Sequence, residues 1–170
     1  MAKKTYFTGL IFCLFSITSF SQGDRDKDFV EKLNSLYKRT VPFIYAEELA
    51  SETGNRSLIL IDARSREEYE TSHISGAKFV DYDSFKASDV QGLGKNADIV
   101  VYCAVGYRSE RIGEDLLKMG FTHVRNLYGG IFDWVNQGNI VVNLSGSKTD
   151  SVHTYNKDWS RWLRRGVKVY

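Results

Sequence analysis

Apolar and polar positions alternate along this chain in two rhythms, and the rhythm switches from one element to the next. In residues 24–39, "DRDKDFVEKLNSLYKR", Phe29, Leu33, Leu36 and Tyr37 recur at helical spacing among charges, which predicts an amphipathic helix. "VPFIYAEELASE" reads as a short strand running into a helical turn, and Pro42 confines that strand to a sheet edge or a strand start. "SLILIDAR" is apolar on both faces, as a parallel strand covered on both sides must be, and "SREEYETSH" predicts a short helix after it. "GAKFVDY" predicts the next strand and "ADIVVYC" another buried one. "SERIGEDLLKMG" predicts a helix with Ile112, Leu116, Leu117 and Met119 inward and Gly120 as its stop. "HVRNLYGG" and "IFDWVNQG" repeat the strand-then-helix order. Such alternation predicts an α/β domain with a largely parallel sheet.

The first residues follow neither rhythm. Lys3 and Lys4 precede the apolar run "YFTGLIFCLFSITSF", and Ser19 and Ser21 supply the small residues of a cleavage site before Gln22. This is the layout of a secretory signal peptide covering residues 1–21. The run is broken by Thr and Ser and is short for a membrane span of about 20 residues. Cys13 follows "LIF" rather than a small residue, unlike a lipoprotein attachment site. The expected destination is periplasmic or secreted.

Cleavage alters two properties. The net charge of +2 comes from Lys3 and Lys4, because residues 1–21 hold no acid, so the mature chain sums to zero. No global basic field suggests nucleic acid as a partner. Of the two cysteines only Cys103 remains, which excludes an internal disulfide framework. A free thiol sent to an oxidising compartment is either buried or used. The remaining length suits one domain: a helical extension over 22–40, a core domain over 41–144, and a basic, aromatic extension over 145–170.

In that last extension "SGSKTDS" is linker-like, and Tyr155, Trp159, Trp162 and Leu163 would share one face of a helix with Arg161, Arg164 and Arg165 toward water. Residues 22–144 carry a net charge of −4 and residues 145–170 carry +4, so the tail is expected to fold back onto the body. The alternative is an interfacial helix whose Trp and Arg side chains meet anionic lipid at a membrane surface.

The candidate chemistry lies in "VVYCAVGYRSERIG", residues 100–113. In open parallel sheets ligands bind beyond the carboxyl ends of the strands, and Cys103 stands at such an end. With a helix beginning near Ser109, residues 104–108 must turn sharply, and Gly106 supplies the backbone freedom. Successive N–H groups in such a turn form an anion-binding nest, reinforced by the positive end of the helix dipole. That field favours a thiolate at Cys103, and Arg108 adds a fixed positive charge beside it. Phosphatases that use a cysteine loop have five residues between Cys and Arg. Here there are four, Ala104, Val105, Gly106 and Tyr107, a cradle better sized for a sulfur atom than for a phosphoryl group. His123 and His153 have no companions at metal-ligand spacing, so no metal is expected.

"VVYCAVGYRS" resembles the active-site loop of rhodanese-like sulfurtransferases, whose single-domain members often carry Cys-x-x-Gly-x-Arg-Ser. "LILIDARSREEYETSHISGAKFV" is similar to the family's amino-terminal signature, and "VRNLYGGIFDWVNQG" to its closing segment. The resemblance implies a five-stranded, mostly parallel sheet flanked by helices. It implies that Cys103 takes a sulfane sulfur as a covalent persulfide, with no other cofactor, and that residues 104–108 cradle it. The implied partners are a small sulfane-sulfur donor or protein persulfide and a thiol or cyanide acceptor. Asp62 and Arg64 match the Asp-x-Arg positions, where Arg64 either helps hold an anionic donor or forms a structural ion pair. His73 matches the His-Ile position and is expected to pack and hydrogen-bond near the loop. Trp134, Gly129 and Gly130 are expected to be structural. Val105 departs from members that use thiosulfate, which can carry a cation two places after the cysteine. A non-catalytic module for protein binding or persulfide sensing is the alternative.

Overall fold

The computed structural model describes residues 25–170, so the signal-peptide expectation for residues 1–21 lies outside the described residues. The first helix, α1 (Lys27–Leu36), is shorter than the 24–39 pattern. Asp26 caps it by accepting from the N–H groups of Asp28 and Phe29, and Tyr37 leaves it in extended backbone. Its apolar stripe, Phe29 and Leu33, is buried.

The chain then runs β1 (Phe43–Ile44), α2 (Ala46–Glu52), β2 (Leu58–Asp62), α3 (Arg66–Thr71), β3 (Lys78–Phe79), β4 (Asp98–Tyr102), α4 (Tyr107–Lys118), β5 (His123–Leu127) and α5 (Gly130–Asn136). The five strands form one sheet in the order β1-β5-β4-β2-β3, and every pairing is parallel. As Pro42 requires, β1 is an edge strand. The doubly apolar runs β2 and β4 lie inside the sheet, where both faces are covered.

The two faces are two cores. Side chains alternate along β4, so Val100 and Tyr102 join Leu60 and the residues of α1, α2 and α5 on one side. Ile99 and Val101 join Ile61 and the Ile112 and Leu116 stripe of α4 on the other. Leu117 and Met119 are only half-buried at the edge of that second core. With the helices holding both faces, the carboxyl ends of β2 and β4 open at one rim, and Cys103 follows β4 there.

The tail is not a helix. β6 (Val141–Val142) pairs antiparallel with β7 (Lys148–Thr149), so "SGSKTDS" is a turn and a strand rather than a free linker. β8 (Ser151–His153) pairs in parallel with β9 (Val167–Val169), and only Trp159–Trp162 winds, as a single 3-10 turn. The cause is local: β-branched Val152, Val167 and Val169 favour extended backbone, and Gly166 at φ 89° breaks any helix before them. The tail does fold back. Leu163 is 1% exposed in the first core, and Trp162 stacks on Phe29 with ring centroids 5.6 Å apart. Asn136 clamps the turn, its Nδ2 donating to the Trp162 carbonyl and its Oδ1 accepting from Arg164 N–H. Among the described residues no helix is long and apolar enough to cross a membrane.

Candidate active site

Four carbonyls define the loop after Cys103. The Cys103 and Ala104 carbonyls accept from the N–H groups of Ile131 and Phe132 at the start of α5. The Val105 carbonyl accepts from the Tyr37 hydroxyl at 2.6 Å, and the Gly106 carbonyl from Asn126 Nδ2 at 2.9 Å. A trans peptide points its N–H opposite to its carbonyl, so tying four successive carbonyls to the protein turns the N–H groups of Ala104, Val105, Gly106 and Tyr107 the other way. One of them shows where they point: Gly106 N–H donates to Cys103 Sγ at 3.1 Å. The loop thus presents one donor to the sulfur and leaves its other N–H groups free of the carbonyl ties, and α4 begins directly behind it with its first-turn N–H groups lacking intrahelical partners.

Glycine is required at two places here. Gly106 caps α4 at φ 90°, ψ −4°, in the left-handed region, and a Cβ there would meet the Tyr37 hydroxyl at 2.5 Å. A Cβ on Gly130 would collide with the Cys103 carbonyl. The paired glycines, read from sequence as structural, let α5 approach the loop closely enough to take its carbonyls. Helix α4 starts at Tyr107 rather than near Ser109, because Gly106 completes the turn by itself. Arg108 therefore lies in the first turn of α4.

Arg108 is engaged on its outer side. Its Nη1 and Nη2 each reach a Glu68 carboxylate oxygen at 2.7 Å, a bidentate pair with Glu68 1% exposed. Burial works against the Arg108 charge, but the Glu68 carboxylate and the nearby Cys103 sulfur hold its pKa above the ordinary arginine value. Burial likewise pushes the Glu68 carboxyl up, and Arg108 and Arg64 outweigh it and hold the pKa below the usual range. Burial raises the pKa of Tyr37 well above that of a free phenol, which keeps the proton it donates to Val105.

The remaining sequence candidates sit elsewhere. Asp62 and Arg64 close on each other as a fully buried ion pair, Nη2 to Oδ2 2.7 Å, and Arg64 also donates to the Ser72 carbonyl. Of the two roles left open for Arg64, the structure has the structural pair. His73 stacks on Tyr69 with centroids 4.1 Å apart, sets Nδ1 3.0 Å from the Tyr69 carbonyl, and bridges to Val142. It packs and hydrogen-bonds as expected but does not line the cavity over the cysteine.

That cavity has a volume of about 390 Å³. Cys103, Ala104, Val105, Tyr107 and Arg108 form its loop side. Leu36, Tyr82, Asp83, Tyr155 and Trp159 form the remainder. Cys103 is 1% exposed and lines this cavity.

A family model described as the rhodanese-like domain matches residues 45–137, more than half of the chain. The chain belongs to the rhodanese-like family. This rhodanese-like protein superposes on the rhodanese-like domain of an Anabaena sp. protein with a TM-score of 0.56 at 28% identity, covering 61% of this chain and 80% of that one. A thiosulfate sulfurtransferase from Pseudomonas aeruginosa is similar at TM-score 0.56 and 25% identity, over 70% of this chain and 22% of its own. In sequence, the tRNA uridine(34) hydroxylase of Buchnera aphidicola (strain Tuc7) is 32% identical over 99 residues, 55% of this chain and 31% of that protein. The corresponding hydroxylase of Enterococcus faecalis is 34% identical over 111 residues, 62% of this chain and 34% of that protein. The chain spans about a third of the length of these curated relatives.

Several side chains of the rhodanese-like site were silent in the sequence. Tyr37 counted only as part of an apolar stripe, yet its hydroxyl donates to Val105 and accepts from Gly129 N–H at 2.9 Å. Asn126 was not singled out, yet it joins Ser109 Oγ, 2.7 Å away, to the loop carbonyl. Glu68 was not singled out either; it closes a capping box with Ser65 and pairs with Arg108 forty residues on. A polar residue inside an apolar run was the one available signal for Asn126.

Proposed function

We propose that this protein is a sulfurtransferase that carries a sulfane sulfur as a persulfide on Cys103. The observation that carries the reading is the Gly106 N–H held 3.1 Å from Cys103 Sγ by a loop whose carbonyls are tied to the protein. A donor fixed in this way stabilises negative charge on a sulfur without reorganisation, at the start of a helix whose dipole acts in the same sense. In the first half-reaction the Cys103 thiolate attacks the outer sulfur of a donor RS–S⁻. The donor S–S bond breaks, RS⁻ leaves with the electron pair, and Cys103–S–S⁻ remains. An acceptor thiolate or cyanide then attacks that outer sulfur and returns the Cys103 thiolate, so no external oxidant is needed.

Val105 stands where a second cation would favour thiosulfate, and Glu68 already neutralises Arg108. An organic or protein persulfide is the better-matched donor. Two-substrate steady-state kinetics with a persulfide donor and a thiol acceptor should give the parallel reciprocal plots of a ping-pong mechanism. Cys103→Ser should abolish turnover while leaving the melting temperature within a degree or two of wild type. Intersecting plots, or turnover by Cys103→Ser, would contradict the reading.

The 1% exposure of Cys103 favours a second reading, a module that binds a partner and senses persulfide without turning over. Stable sulfur uptake with no transfer to any thiol would select it. The hydroxylase named for the curated relatives is not carried over, because the match spans about a third of their length. Export is part of the proposal, supported by the layout of residues 1–21.

A further inference from the structure

The cavity over Cys103 is completed from outside the family-matched residues 45–137. Tyr155 and Trp159 come from the tail, and the fold holds them there. Thr154 N–H donates to the Val169 carbonyl at 2.8 Å, and Tyr155 N–H donates to His153 Nδ1 at 3.1 Å. Between these ties Tyr155 sits at φ 64°, a left-handed conformation costly for a bulky side chain and kept only where the surroundings enforce it. Its ring centroid lies 5.4 Å from the Arg108 guanidinium carbon. Trp159 is set by Asn156 Oδ1, which accepts from its backbone N–H at 3.1 Å, and by Lys32 Nζ over its ring at 5.4 Å.

The charges facing the cavity do not suit a small dianion. Arg108 is neutralised by Glu68, and Asp83 contributes a carboxylate. Most of the remaining wall is aromatic or aliphatic: Tyr82, Tyr107, Tyr155, Trp159 and Leu36. Its volume falls in the range of about 300–1,000 Å³ for small-molecule pockets, where apolar walls supply affinity and a few polar groups set orientation. Resting on the sulfurtransferase reading, we propose that Tyr155 and Trp159 are specificity-determining residues that select a donor whose sulfane sulfur is carried on an apolar, ring-sized organic group.

Benzenethiosulfonate and methanethiosulfonate are suitable probes, since both deliver the same sulfur and differ in the apolar group. The Cys103 thiolate takes the outer sulfur of R–SO₂–S⁻, the S–S bond of the donor breaks, and R–SO₂⁻ leaves with the electron pair. The rate of Cys103 sulfuration is read by intact mass and divided by the rate of each donor with a free thiol in solution. Wild type should then prefer the aromatic donor about tenfold or more, the discrimination available to apolar groups in a pocket. Tyr155→Ala should bring the ratio toward parity, Tyr155→Phe should keep it, and Trp159→Leu should lower it independently. Equal normalised rates in wild type, or an unchanged ratio in Tyr155→Ala, would overturn the proposal. Calorimetric titration of Cys103→Ser with both donors separates this from failure of the sulfurtransferase reading. Tighter binding of the aromatic donor without sulfur uptake by wild type leaves the selection standing and removes the transfer. Uptake from both donors with equal binding removes the selection and leaves the transfer.

Discussion

A methyl group at position 106 has nowhere to go: the backbone is left-handed and the Tyr37 hydroxyl occupies the space. Gly106→Ala is therefore expected to cost about 1–3 kcal/mol from backbone strain alone. It should also impair sulfur uptake by displacing Tyr37 from the Val105 carbonyl, and the two effects are read by chemical denaturation and intact mass. Glu68 gives a pH-dependent test. Its folded pKa is depressed below the unfolded one, so its contribution to stability is fully present above the unfolded value and is lost as pH falls through the folded one. A melting curve followed from neutral pH into the acid range should fall less steeply for Glu68→Gln than for wild type. Parallel pH curves would contradict this. Cys103, Gly106 and Arg108 were legible because their spacing is local and chemical. Tyr37, Glu68 and Asn126 were not, because each acts on the loop across a long stretch of chain, and only the folded sheet brings them there.

At the level of elements, the alternation of short strands and helices was readable because β2 and β4 are short runs apolar on both faces while α4 carries a helical stripe. The tail was misread for the opposite reason. Tyr155, Trp159, Trp162 and Leu163 imitate a helical stripe, while the Val residues that pair β8 with β9 flank them at a distance. Leu163 is nonetheless core, and Leu163→Ala should cost about 2–5 kcal/mol in denaturant unfolding. A change below measurement error would mean that the tail is not docked in solution. At the start of α5, Gly130→Ala should be worse for sulfur uptake than a substitution at exposed Gly146, because only the former pushes on the Cys103 carbonyl.

For the whole molecule, two opposed net charges, −4 over residues 22–144 and +4 over 145–170, accompany a tail that closes on the body and walls the cavity. Fold class and the position of the thiol followed from the pattern of the chain. The cavity walls did not, since they join α1, the segment after β3, α4 and the tail. Protein recovered after export is expected to begin at Gln22, and an intact Met1 terminus in the exported fraction would contradict the reading of residues 1–21. The central claim is that Cys103 holds sulfur in its loop. Intact-mass analysis of the reduced, folded protein after exposure to an organic persulfide tests it most directly. The expected result is a gain of one sulfur atom per chain, reversed by dithiothreitol and absent in Cys103→Ser. An unchanged mass after exposure to persulfide, polysulfide and thiosulfate alike would contradict it.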